Sequence, residues 1–225
     1  MLESLDHLAL EVTYLDRARD FYTDHLDLSV ERESDTEVVF RAGETDLVLR
    51  RPTSVPRGGL HTHYAFSAPA EEYDDWWAKL AHLGLEEHVF GSSKSLYFDD
   101  PDGHCVEIGQ VGSEGEGITG IFEVVLEVAD LNRAEAFYTD LGFEVSNRGD
   151  ERRRVRLAGP MDLELWEPQL GLADARGGVH VDLGFGTTDP EALADRVADR
   201  ACAVESLENG VRVLDLDGHF LTFGN

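Results

Sequence analysis

Lysine is nearly absent from this 225-residue chain, where Lys79 and Lys94 stand alone and every other basic side chain is arginine. Basic residues number 19 against 46 acidic ones, a formal net charge of -27. No acidic block dominates, so the charge belongs to the whole surface, as expected of a halophilic, counterion-rich setting. A nucleic-acid or anionic-membrane partner is disfavoured, because phosphate contacts need clustered Lys and Arg, and Arg152-Arg153-Arg154 is too short a run. Cysteine is also scarce, and Cys105 and Cys202 alone make no disulfide framework. Long apolar runs and a basic N-terminal region are missing, so neither a membrane span nor a signal peptide is expected and a cytoplasmic location follows. The 42% hydrophobic content is nevertheless ample for packed cores.

What the chain does contain is repetition. Asp6-His7-Leu8-Ala9-Leu10-Glu11-Val12, then Arg17-Ala18 and Phe21-Tyr22-Thr23-Asp24, returns 116 residues later as Phe122-Glu123-Val124-Val125-Leu126-Glu127-Val128, Arg133-Ala134 and Phe137-Tyr138-Thr139-Asp140. Arg57-Gly58-Gly59-Leu60-His61 returns as Arg176-Gly177-Gly178-Val179-His180. The turn Asp100-Pro101-Asp102-Gly103-His104 returns as Asp215-Leu216-Asp217-Gly218-His219. A glycine-rich stretch over 111–120 reads as a linker between halves 1–110 and 121–225. Each half divides again, at about residue 55 in the first. Alternation over 5–12 predicts a strand, 16–25 a helix, and 29–33, 36–42 and 46–50 three short strands. The same order follows with strand 62–67 and helix 71–83, then with strand 122–128 and helix 131–140, and finally with strand 179–185 and helix 189–200. The fold class is therefore α+β, four strand-helix-three-strand modules in tandem pairs.

Three residues on predicted strands carry the first chemical signal. His7, His63 and Glu107 have no local metal-finger spacing, so only a fold could bring them together. Two neutral imidazoles and one carboxylate would suit a divalent transition metal with positions left for substrate. Strand parity puts His61 on the face of His63 and Cys105 on the face of Glu107, either able to line the pocket behind the ligands.

The phrases Asp6-His7-Leu8-Ala9-Leu10, Thr62-His63-Tyr64-Ala65-Phe66 and Leu96-Tyr97-Phe98-Asp99-Asp100-Pro101-Asp102-Gly103-His104-Cys105-Val106-Glu107 resemble the vicinal oxygen chelate superfamily, which includes glyoxalases, fosfomycin-resistance proteins and extradiol ring-cleaving dioxygenases. The resemblance spans essentially the whole chain. It implies two tandem domains (1–110, with modules 1–55 and 56–110, and 121–225), each a pair of βαβββ modules forming a curved open sheet around a cavity. It also implies metal binding by His7, His63 and Glu107, with Fe(II) favoured and Mn(II), Zn(II) or Ni(II) as options. The ring-cleavage pattern matches His88, Leu96-Tyr97, Pro101, Gly103 and Glu107. It implies His88 as a proton relay and Tyr97 as a substrate-steadying group in a dioxygenase acting on a catechol-like substrate. Glu86 and the absence of a histidine some fifteen residues before His63 depart from that pattern.

The same resemblance leaves two alternatives open: a glyoxalase-like lyase or isomerase, or a thiol transferase, acting on a metal-chelated substrate. Fosfomycin-modifying relatives share Ser95, Tyr97 and the Asp-Pro-Asp-Gly-His run, with Lys94 available for an anion. A non-catalytic small-molecule binding protein is a further class. In the second half Glu123, Asp182 and Thr222 occupy the positions of His7, His63 and Glu107, so that half reads as degenerate. An acidic trio of Glu123, Glu164 and Asp182 is the one cation site it suggests. A small-molecule substrate and, as an open option, a homodimer complete the expectations.

Overall fold

The computed structural model describes residues 1–52, 62–111, 114–149, 153–168 and 181–224. The first module runs β1 (Ser4–Glu11), α1 (Leu15–Leu26), β2 (Val30–Glu33), β3 (Glu37–Ala42) and β4 (Thr45–Arg50). The second runs β5 (Thr62–Ser67), α2 (Tyr73–Leu80), β6 (Glu86–Phe90), β7 (Ser93–Asp99) and β8 (Cys105–Gly109). The third is β9 (Gly120–Glu127), α3 (Leu131–Leu141), β10 (Glu144–Arg148), β11 (Arg154–Ala158) and β12 (Asp162–Trp166). The fourth is β13 (Val181–Gly186), α4 (Pro190–Asp195), β14 (Ala203–Leu207), β15 (Gly210–Leu214) and β16 (Phe220–Gly224).

Local chemistry accounts for the element ends. Asp130 caps α3 by accepting from the Arg133 amide, and Gly142 closes it at φ 112°. Asp189 caps α4, whose first position is Pro190. That helix ends at Asp195, five residues before the sequence suggested, and the chain continues in turns. The helix expected over 71–83 is a central α-helix flanked by single 3₁₀ turns, Ala70–Glu72 and Ala81–Leu83.

The modules pair in an order the sequence did not announce. One eight-stranded sheet runs β14-β15-β16-β13-β1-β4-β3-β2 and the other β10-β11-β12-β9-β5-β8-β7-β6. The first module therefore joins the fourth, through antiparallel β1 and β13, and the second joins the third, through antiparallel β5 and β9. The expectation that modules 1–55 and 56–110 share one sheet and one cavity is corrected: neither sequence half owns a sheet. The end of the predicted linker is also part of the fold. The Thr119 amide donates to the Ser67 carbonyl at 2.9 Å, and β9 starts at Gly120.

On the inner strands alternate residues enter a shared apolar core, such as Leu8, Leu10, Tyr64, Phe66, Val124, Leu126, Leu183 and Phe185, whereas the edge strands β2, β6, β10 and β14 contribute none. The repeated Asp-Gly-His turns tie the sequence-adjacent modules together through this layer. The Asp100 carboxylate accepts from the amides of Asp102 and His104, from His104 Nδ1 at 2.9 Å and from the Tyr22 hydroxyl at 2.8 Å. Tyr22 in turn meets the Tyr64 hydroxyl. Asp215 repeats the arrangement with the amides of Asp217 and His219 and the Tyr138 hydroxyl. The phrase that marks the duplication is thus a buried latch between modules, not a piece of the reactive surface.

Candidate metal centre

The concave face of the second sheet carries the polar residues left over from core packing. From β5 comes His63, from β8 Glu107 and from β9 Glu123, all buried, with one ligand atom of each within 4.8 Å of the others. Register explains the meeting. Ala65 on β5 lies opposite both Glu107 on β8 and Glu123 on β9, which sets His63 two residues away between two carboxylate-bearing strands. His63 Nε2 is 2.9 Å from Glu107 Oε2. Among the described residues no other such group of three is present. One imidazole and two carboxylates fit a divalent cation by donor type and by charge.

The structure places His7 elsewhere. It sits on β1 in the other sheet, opposite Gly184, with its Nε2 3.6 Å from Asp182 Oδ1. The set His7, His63 and Glu107 is not assembled, because β1 pairs with β13 rather than β5. Glu123, at the matching first-strand position of the third module, stands where His7 was expected. The 116-residue offset had already aligned Glu123 with His7; what the sequence lacked was the pairing of the second module with the third. The acidic trio also dissolves. Asp182 is in the other sheet, and Glu164 is occupied by Arg154 at 2.9 Å, Arg156 at 3.0 Å and the Trp166 indole at 2.7 Å.

Burial would raise the Glu107 carboxyl, but hydrogen bonds from His63, Ser95 and Tyr97 outweigh it and hold the group below its usual range. Burial first, and then the Glu107 charge, push the Tyr97 phenol far above its ordinary value, so it is protonated and donates to Glu107. The Tyr97 ring lies 5.3 Å from His63 and 5.0 Å from His88, edge-on to the latter. His88 is on β6, its side chain 56% exposed, with Nε2 3.9 Å from Glu86. Cys105 lies beside His63 on the neighbouring strand. Burial, followed by the charges of Asp99, Glu107 and Glu86, pushes its thiol up to about 12. It is therefore a neutral neighbour rather than a thiolate ligand. His61 lies outside the described residues. Sequence reasoning missed Arg156, which reaches across β12 to ion-pair with Glu123 as well as Glu164.

Paired βαβββ modules enclosing a buried histidine and carboxylates on a concave sheet define a metal-binding enzyme scaffold. Residues 4–108 match the family model described as the Glyoxalase/Bleomycin resistance protein/Dioxygenase superfamily. The chain is 32% identical over 119 residues to the glutathione transferase FosA of Serratia marcescens, covering 50% of this chain and 84% of that protein. It is 29% identical over 116 residues to the metallothiol transferase FosB of Staphylococcus haemolyticus, covering 48% of this chain and 84% of that one. Glyoxalase I from Zea mays shares the fold along 99% of this chain and 92% of its own, with a TM-score of 0.71 at 18% identity. The chain belongs to the glyoxalase, or vicinal oxygen chelate, superfamily. It is an enzyme of that superfamily with a candidate divalent-metal site and a small, chelating substrate. No described helix is long and apolar enough to cross a membrane.

Proposed function

We propose that the chain is a metal-dependent transferase that adds a low-molecular-mass thiol to a small electrophile whose oxygens chelate the ion. The observation that carries this reading is the likeness of about half of the chain to proteins named metallothiol transferase and glutathione transferase, at 29–32% identity and across 84% of their length. A divalent ion held by His63, Glu107 and Glu123 would supply Lewis acidity to the substrate oxygens. In the transfer, the thiolate sulfur attacks an electrophilic carbon, the carbon–oxygen bond breaks and the released oxygen takes a proton. Tyr97 fixes the Glu107 carboxylate through its hydrogen bond, and Arg156 and Arg154, paired with Glu123 and Glu164, are cationic groups next to the ligand residues that an anionic substrate could engage. Lys94, paired with Glu87 at 3.3 Å, stands on the strand that carries Tyr97.

The extradiol reading has one supporting observation, the edge-on contact between His88 and Tyr97 beside His63. In it His88 relays the catechol proton and Tyr97 steadies the ring. The ligand set does not choose between the two readings, because the same kind of divalent site serves several chemistries. The test is consumption of glutathione or cysteine in the presence of Mn(II) and a phosphonate epoxide such as fosfomycin. Metal-dependent thiol loss matched by adduct formation supports the transferase. No thiol loss, together with oxygen uptake by iron-loaded protein on a catechol panel, overturns it in favour of ring cleavage.

A further inference from the structure

The other concave face is built from the same strand positions with opposite chemistry. Where the second sheet gathers His63, Glu107 and Glu123, the first gathers His7 from β1, Asp182 from β13 and Thr222 from β16. It adds Arg50 from β4 and Arg212 from β15. Asp182, 2% exposed, is the centre of this cluster. Arg50 Nη1 is 3.2 Å and Arg212 Nη2 3.3 Å from its Oδ2, while the Thr222 hydroxyl donates to Oδ1 at 2.8 Å. Arg212 Nε also meets Thr222 at 3.2 Å. Two guanidiniums therefore stand beside the carboxylate, at the place that a cation would fill in the other sheet.

The donors exceed what one carboxylate and one hydroxyl can accept. Among the described residues Arg50 Nε is a buried nitrogen without a hydrogen-bond partner, and His7 Nε2 has only a long contact, 3.6 Å, to Asp182 Oδ1. The side chains of His7, Arg50 and Arg212 are 24%, 23% and 30% exposed, so the cluster is reachable from solvent. Ala9, Val39 and Val48 form a small buried apolar cluster on this sheet, separate from the main core. The Phe220 ring sits under the Arg212 guanidinium at 5.4 Å. Guanidinium forks match a carboxylate in geometry, and unpaired buried donors are costly until an acceptor arrives.

The geometry points to a second, metal-independent ligand site on the sheet of the first and fourth modules, which binds a small organic carboxylate. The head group is held by Arg50, Arg212 and His7. The site does not depend on the reaction assigned to the metal centre.

The full chain is titrated calorimetrically with sodium benzoate at constant ionic strength, with benzyl alcohol as the neutral control. Saturable binding of benzoate and none of the alcohol is expected, unchanged by EDTA and by His63→Ala. Arg50→Gln with Arg212→Gln should weaken it at least tenfold. Because that pair leaves a buried carboxylate uncompensated, Asp182→Asn provides the complementary test. It removes the internal competitor and should tighten benzoate at least threefold. Absence of saturable binding, loss of binding with EDTA or His63→Ala, or weaker binding in Asp182→Asn would overturn the proposal.

Discussion

Replacing Glu123 by glutamine separates the candidate metal centre that the structure assembles from the one the sequence suggests. The change is isosteric and removes one of two carboxylates from a buried triad whose ligand atoms lie within 4.8 Å. A unit charge pair at about 4 Å and an effective dielectric near 20 is worth roughly 4 kcal/mol. Glu123 is paired with Arg156 before any ion binds, so part of that attraction only replaces a guanidinium contact. The net loss should fall between about 100-fold and 1,000-fold in affinity, or roughly 3–4 kcal/mol. His7→Ala, in the other sheet, should change affinity by less than about threefold, since uncoupled distant sites act independently. The assay is calorimetric titration of EDTA-stripped protein with Mn(II) or Co(II), with melting curves to establish that both variants fold. Retained affinity in Glu123→Gln with loss in His7→Ala would refute the assembled triad. Failure of the wild type to take up any divalent ion would refute the centre altogether.

Two further outcomes probe the opposite sheet. A Cβ on Gly184 would lie 2.1 Å from His7 Nδ1, so Gly184→Ala must displace the imidazole; a loss of about 1–3 kcal/mol in urea unfolding is expected. Equal stability would show that the ring is not held there. Asp182 has its carboxyl lowered to about 2, because His7, Arg50 and Thr222 outweigh the opposing effect of burial. Its folded value lies below its unfolded one, so its contribution, at most about 2.5 kcal/mol, is complete above pH ~4 and lost as pH falls towards 2. Asp182→Asn should flatten the acid-unfolding curve in that window, and an unchanged curve would contradict the pairing.

Much of this protein was legible in the sequence because the relevant signals are local. Alternation over residues 5–12 and helical spacing over 16–25 place β1 and α1 to within a residue or two. The recurring phrases mark two copies, and the repeated strand-helix-three-strand order divides each into two modules. His63 and Glu107 fall on adjacent strands of one module, so the motif that names them also brings them together. Glu123 carried a usable signal in its alignment with His7. The roles proposed for His88 and Tyr97 rest on resemblance, to which the structure adds their mutual contact.

By itself the sequence determined the four βαβββ modules, their duplication, and two of the three candidate ligands. Only the tertiary structure decided which modules share a sheet, and with that the third ligand. The first strand of every module presents the same alternating pattern, so periodicity serves any pairing equally well. The choice is visible in side-chain fit across the β1–β13 and β5–β9 seams. His7 lies opposite Gly184, where no Cβ competes with its ring, whereas the matching position in the second module is Ala65, which lies opposite Glu123. That steric difference between glycine and alanine accommodates the imidazole in one sheet and leaves a carboxylate beside His63 and Glu107 in the other.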